Sequence, residues 1–139
     1  MFEVNKSLGY LLAMTAKKTS ARFSQLMKEH DIPFGLSEWV VLSRLWEEDG
    51  LNQQQISESS NVAKPNISNY CDQLEKDSLI VRVPDPTDRR NHKLFLTNRG
   101  KTYKNICQQL AIQANDETLE KLSPEESRLF LELLTKINE

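Results

Sequence analysis

Two short runs of β-forming residues, Leu79 to Val83 and Leu94 to Leu96, flank a knot of Pro, Asp, Arg and Asn in VRVPDPTDRRNHKLFLTNRGK, residues 81–101. Everything around this hairpin has the spacing of helices. A chain with one hairpin inside a helical frame is mainly α, with a minor β part. The knot also gathers Asp85, Asp88, Arg89, Arg90, His92 and Lys93 at the hairpin tip. Two adjacent arginines repel each other and gain little in water, so the tip asks for a receiver outside the chain.

From Asn5 to about His30 apolar residues recur at helical spacing (Leu8, Leu11, Leu12, Ala16, Phe23, Leu26, Met27), with Lys17, Lys18, Arg22 and Lys28 off the stripe. Pro33 and Gly35 interrupt this helix. Ser37 is then placed to cap a second one, with Leu36 and Val41 at the staple positions and Val41, Leu42, Leu45 and Trp46 inward. Gly50 ends it, Asn52 caps a short third helix from Gln53 to Ser60, and Asn61 is the expected left-handed residue after it. The fourth helix begins near Lys64, because Pro65 is tolerated in a first turn. Ile67, Tyr70, Cys71 and Leu74 form its inward stripe; Lys64, Asn66, Ser68, Asn69 and Gln73 form a polar outer face. After the hairpin, Thr97 caps a fifth helix carrying Tyr103, Ile106, Cys107, Leu110 and Ala114 on one face. The capping box Ser123-Pro124-Glu125-Glu126 opens a sixth, with Leu129, Phe130, Leu133, Leu134 and Ile137. The order is α-α-α-α-β-β-α-α.

Charge enters through its distribution. The 18 Lys and Arg against 20 Asp and Glu give a net charge of −2, which is no sign of nucleic-acid affinity. Between Lys64 and Lys104, however, nine basic residues stand against five acidic ones, so a basic middle lies between acidic flanks. Two cysteines without CxxC spacing point to neither a disulfide framework nor a zinc site, and a reducing compartment fits them. No segment approaches the roughly 20 apolar residues of a membrane span, and the N-terminus lacks a leader pattern. The expectation is a cytoplasmic protein. With His30 and His92 the only histidines, no glycine elbow around any Ser or Cys, and four glycines in no phosphate-cradle pattern, neither an enzymatic site nor a cofactor or metal is indicated.

A short helix, a turn of about four residues and a second helix with a polar outer face make a helix-turn-helix. This motif presents its second helix to the major groove, where Asn, Ser and Lys side chains read base edges. Asn66 and Asn69 lie one turn apart, and Lys64 lies near a helix N-terminus, which favours phosphate. The hairpin that follows adds Arg90, a residue type that the negative potential of a narrow minor groove attracts. Asp88, two residues earlier, is placed to accept a hydrogen bond from it.

From Leu36 to about Lys101 the chain resembles the MarR family, multiple-antibiotic-resistance regulators with a winged helix-turn-helix. The matching pieces are LSEWVVLSRL, QQISESSNVAKPNISNYCDQLEKDSLIVRVPDPTDRR and LFLTNRGK. The resemblance implies an N-terminal dimerisation helix in residues 1–34, a winged helix-turn-helix domain in 35–100 and C-terminal dimerisation helices in 101–139. It implies a homodimer joined through the first, fifth and sixth helices, with recognition helices about 34 Å apart on a pseudo-palindromic operator. By position, Lys64, Pro65, Asn66, Ser68 and Asn69 fall where the family reads bases and phosphates. Arg90 falls on the wing arginine, with Asp88 positioning it and Arg89 beside it. The sequence departs from the family at Ser57, Ser60 and Asn61, where Ala, Leu and Gly are usual, and Ser60 implies looser packing of the two helices. Pro65 and Asn69 also depart, so an operator cannot be carried over from relatives.

The function implied is that of a sequence-specific regulator on double-stranded DNA, most often a repressor released by a small anionic or phenolic ligand. Tyr10, Met14, His30, Trp39 and Trp46 are candidate ligand contacts, although an aromatic at helical spacing is more often core, Trp46 above all. Cys71 and Cys107 lie on inward faces and read as packing rather than as redox sensors. The alternative is a winged-helix module that binds an acidic protein partner without touching an operator.

Overall fold

The computed structural model describes residues 1–88 and 90–139; Arg89 lies outside them. After a 3-10 turn at Val4–Lys6, the order is α1 (Leu8–Glu29), α2 (Leu36–Glu47), α3 (Gln53–Ser60), α4 (Lys64–Lys76), β1 (Ile80–Pro84), β2 (His92–Leu96), α5 (Asn98–Thr102), α6 (Lys104–Thr118) and α7 (Pro124–Ile137). The mainly helical architecture with a two-stranded hairpin is the expected one. Among the described residues no helix is long and apolar enough to cross a membrane.

Local signals explain most boundaries. Asn52 accepts a hydrogen bond from the Gln55 N–H at 2.8 Å while the Gln55 side chain accepts from the Asn52 N–H at 2.9 Å, so a reciprocal box starts α3. Ser123 and Glu126 do the same for α7, at 3.1 and 2.8 Å. Asn61 ends α3 at φ 55°, in the left-handed region. Two boundaries differ from the expectation. The N-cap of α2 is Gly35, not Ser37: Glu38 reaches back to the Gly35 N–H at 3.4 Å, and the helix starts at Leu36. The fifth helix is interrupted at Tyr103, whose ψ of −8° departs from the helical value and splits it into α5 and α6. Thr97 still caps its start, accepting from the Gly100 N–H at 3.0 Å.

The chain divides into two compact units. Residues 27–108 form one, built on α2, α3, α4, the hairpin and α5. Its core holds Val41, Leu42, Leu45, Ile56, Ile67, Cys71, Leu74, Ile80 and Leu94, all fully or almost fully buried. The Trp46 indole is buried with them and donates to the Gly100 carbonyl at 3.0 Å, which makes it core rather than a ligand contact. A Cβ on Gly100 would lie 2.2 Å from the Leu79 carbonyl oxygen, so no larger residue fits where α5 closes over the root of the hairpin. The turn between α3 and α4 is satisfied locally. Ser57 donates to the Val62 carbonyl at 2.6 Å and Ser60 to that of Ile56 at 2.5 Å, while Ile56 and Ile67 stay fully buried.

Residues 1–26 and 109–139 form the other unit. Thr19 donates to Thr118 at 2.8 Å, and Arg22 forms an ion pair with Glu117 that holds the Glu117 carboxyl below its ordinary range. Phe23, Leu26, Leu110 and Ala114 are buried, yet α7 buries no residue. Leu8, Leu11 and Leu12 on α1 and Leu129, Leu133 and Ile137 on α7 are exposed in the single chain.

Candidate nucleic-acid interface

The two helices of the motif are held by their inner faces, which leaves the outer face of α4 to solvent. Ile67, Cys71 and Leu74 point inward and are fully buried. Lys64, Pro65, Asn66 and Asn69 are exposed, and Ser68 is half-buried. The N-cap of α4, Ala63, has no side chain to bond the first turn, and Pro65 has no N–H. With no capping side chain this end of the helix keeps partial positive charge for an anion, less the one donor that Pro65 lacks.

The hairpin is antiparallel, with Arg82 opposite Leu94 and Pro84 opposite His92. β2 begins two residues before the expected Leu94, because His92 and Lys93 continue the ladder. The tip is built by short carboxylate turns. Asp85 is buried and accepts from the Thr87 N–H at 2.9 Å and the Thr87 hydroxyl at 2.8 Å, which hold its carboxyl below the ordinary carboxylate range. Asp88 accepts from the Arg90 N–H at 3.0 Å and from the Asn91 side chain at 3.2 Å. Its ion pair with the Arg90 guanidinium is long, at 3.9 Å, and that side chain is 96% exposed. Asp88 thus orients Arg90 through the backbone rather than by clasping the fork, and Arg90 projects into solvent. Arg89 lies outside the described residues.

Gln53, Lys64, Ser68, Arg82, Arg90 and His92 line one groove of about 390 Å³ between the α3–α4 face and the hairpin. The sequence candidates Lys64, Ser68 and Arg90 are brought together here; Pro65, Asn66 and Asn69 stand on α4 outside its lining. Of the proposed ligand contacts, Tyr10 and Met14 are exposed on α1 in one unit, while His30 is exposed and Trp39 half-buried in the other.

Arg82 is the residue that sequence reading missed, counting it only as charge. Its side chain, 16% exposed, donates to Gln53 Oε1 at 3.1 Å, Asp72 Oδ1 at 2.6 Å and the Ser68 carbonyl at 2.9 Å, with Glu75 at 3.5 Å. Asp72 is 63% exposed, so this ion pair contributes only about 0–1 kcal/mol, and its importance is geometric. One signal was available. On β1 Val81 and Val83 face outward, so Arg82 shares the inward side with Ile80, where a guanidinium needs partners.

Burial pushes the Cys71 thiol up to about 11, against the pull of the Arg82 guanidinium, and burial does the same for Cys107. Both are protonated at neutral pH and shielded, the opposite of a reactive thiolate. Among the described residues no group of three His, Cys, Asp or Glu could hold a metal ion.

The sequence pattern and the fold recur in known proteins. Residues 35–92 match the MarR family. The chain is 28% identical over 130 residues to the uncharacterized HTH-type transcriptional regulator YkoM of Bacillus subtilis, covering 89% of this chain and 84% of that protein. Among solved structures it superposes on the transcriptional repressor CouR bound to a 23-mer DNA duplex with a TM-score of 0.86 and 28% identity, covering 100% of this chain and 97% of that one. BpsR of Bordetella bronchiseptica, whose DNA binding is regulated by 6-hydroxynicotinic acid, gives a TM-score of 0.88 at 22% identity, covering 100% and 98%, a likeness of fold. Residues 35–92 thus match the winged helix-turn-helix of the MarR family, and the chain is similar along its length to HTH-type transcriptional regulators, one of them solved on DNA.

Proposed function

We propose that the chain acts as a homodimer on a pseudo-palindromic double-stranded operator, as a repressor released by a small ligand. The observation that carries this reading is the shared groove: α4 offers Lys64 and Ser68 to it, and the wing offers Arg90 from a turn held by Asp88. α4 enters the major groove, with Asn66 and Asn69 toward base edges and Lys64 and the α4 N-terminus toward phosphate. Arg90 enters the adjacent minor groove. Arg89 keeps its place in this reading as the neighbouring basic residue of the wing.

Support for the dimer comes from the exposed leucines of α1 and α7. Scattered apolar residues are normal on a surface, but two helical stripes of them need a cover. In a two-fold pair the same stripes meet, and an operator with matching symmetry follows. A small anionic or phenolic ligand is the releasing signal, with Tyr10, Met14, His30 and Trp39 as its candidate contacts. Regulation of BpsR by 6-hydroxynicotinic acid supports that ligand class.

Selection of bound fragments from the source genome, followed by titration of the best fragment at several salt concentrations, tests the reading. The slope of log K against log salt should be about −0.9 per phosphate contact, so a protein that makes several contacts per protomer responds steeply. A flat response, or no fragment retained, would favour a protein-binding winged helix instead.

A further inference from the structure

Near its root the hairpin is anchored by the Leu96 N–H, which donates to Asp49 at 2.9 Å. Its outermost anchors among the described residues lie at one level further out, on both strands, to the α2–α3 loop and to α3 and α4. Leu94, on β2, donates its N–H to the Leu51 carbonyl at 2.8 Å and accepts from the Gly50 N–H at 2.9 Å. Arg82, its partner on β1, reaches the other way to Gln53 on α3 and to Ser68 and Asp72 on α4. From Val83 to Asn91 the hydrogen bonds of the described residues stay inside the hairpin: Asp85 N–H to the Asn91 carbonyl, Thr87 to Asp85, and Arg90 and Asn91 to Asp88. The wing beyond this level is an arm of two strand residues and a turn, at about 3.3 Å per strand residue. Any rotation at the Arg82 level is carried out to Arg90.

We propose that Arg82 is the positioning residue of the wing, setting the distance of Arg90 from α4 so that both meet DNA in one register. The proposal rests on the assignment of α4 and Arg90 to DNA. Its chemistry requires arginine in particular. The three acceptors stand on two helices, Gln53 on α3 and Ser68 and Asp72 on α4, and a planar fork holds all of them at once, whereas a lysine ammonium keeps the charge without the fork. Asp72 faces the same groove and would repel phosphate if unpaired, so simple neutralisation by Arg82 is the competing role; lysine would perform that role equally well.

A double-mutant cycle on the selected operator fragment separates these roles, using the full chain at one salt concentration. In the native chain Arg90→Ala should weaken binding about fivefold or more, the equivalent of 1 kcal/mol. In the Arg82→Lys chain the same substitution should cost less than about twofold, because a misplaced arginine has already lost its contact. Arg82→Lys alone should bind about as weakly as Arg90→Ala. If Arg82→Lys lacks the native circular dichroism spectrum, the cycle is run with Gln53→Ala, which removes one acceptor and leaves the Asp72 pair. There the cost of Arg90→Ala should again shrink. Equal Arg90→Ala losses in both backgrounds, or native binding by Arg82→Lys, would overturn the positioning role. An Arg90→Ala chain that binds normally would overturn the wing assignment itself, and this inference with it.

Discussion

Asp88 holds the backbone of Arg90 and leaves its guanidinium almost wholly in solvent: the N–H donates to the carboxylate at 3.0 Å, while the side chain is 96% exposed. A long cation kept free at the end of a constrained turn is available to a partner without first breaking a strong ion pair. Arg90→Ala should therefore leave dimerisation unchanged and weaken operator binding by at least about 1 kcal/mol, the scale of a lost charge-assisted contact. Fluorescence anisotropy with an operator duplex, beside sedimentation of the free protein, checks both parts; unchanged affinity would remove the wing from the mechanism.

Asn69 is exposed on the outer face of α4, one turn from Asn66. An amide side chain pairs best with adenine in the major groove, and removing it should relax base preference at one position of each half-site by roughly 1–3 kcal/mol. Binding of Asn69→Ala to a set of single-base operator variants measures this. Unaltered selectivity would mean that α4 presents a different face to DNA.

If the exposed leucines of α1 and α7 meet in the dimer, Leu133→Glu places an unpaired carboxylate in that interface twice, once from each protomer. Association should weaken by several kcal/mol, with operator binding lost alongside it, while the fold of the single chain survives because Leu133 is already 49% exposed there. Analytical ultracentrifugation and circular dichroism report the two quantities separately. A dimer of native affinity would place the interface elsewhere.

Ser78 joins α4 to β1 with φ 60°, a conformation costly for any residue with a Cβ. Its useful bonds are all main-chain: its N–H to the Glu75 carbonyl at 3.0 Å and its carbonyl accepting from Thr97 at 2.7 Å. Ser78→Gly keeps them and relieves the strain. Stability should rise by about 0.5–1 kcal/mol, seen as an increase in the urea midpoint at constant slope.

The Asp85 carboxyl titrates below its ordinary range because the Thr87 N–H and hydroxyl favour the charged form. Its contribution is fully present above the unfolded value near about 4 and is lost as pH falls through the lower folded value. A carboxyl-carbon NMR titration should show the depressed midpoint directly. Asp85→Asn should be less stable at neutral pH, and its stability should fall less steeply between about pH 5 and 3. An acid limb as steep as that of the native chain would assign the effect to other carboxylates.

What the sequence determined by itself acts over three or four residues. The boxes at Asn52 and Ser123, the Thr97 cap, the left-handed Asn61 and the inward stripes of α2 and α4 are legible because partner and signal lie within one turn. The family resemblance rests on the same local stretches. At Gly35 even a local reading missed, since two polar residues, Ser37 and Glu38, compete to start α2 and the longer side chain reaches the free N–H. The tertiary structure decided what spans the chain. Arg82 finds its acceptors 10, 14 and 29 residues away, on two helices that only the packing of Ile56, Ile67 and Ile80 brings beside β1. A guanidinium in a strand carries no local mark of the partners it will meet, because those bonds exist only once the core has closed and excluded water from them.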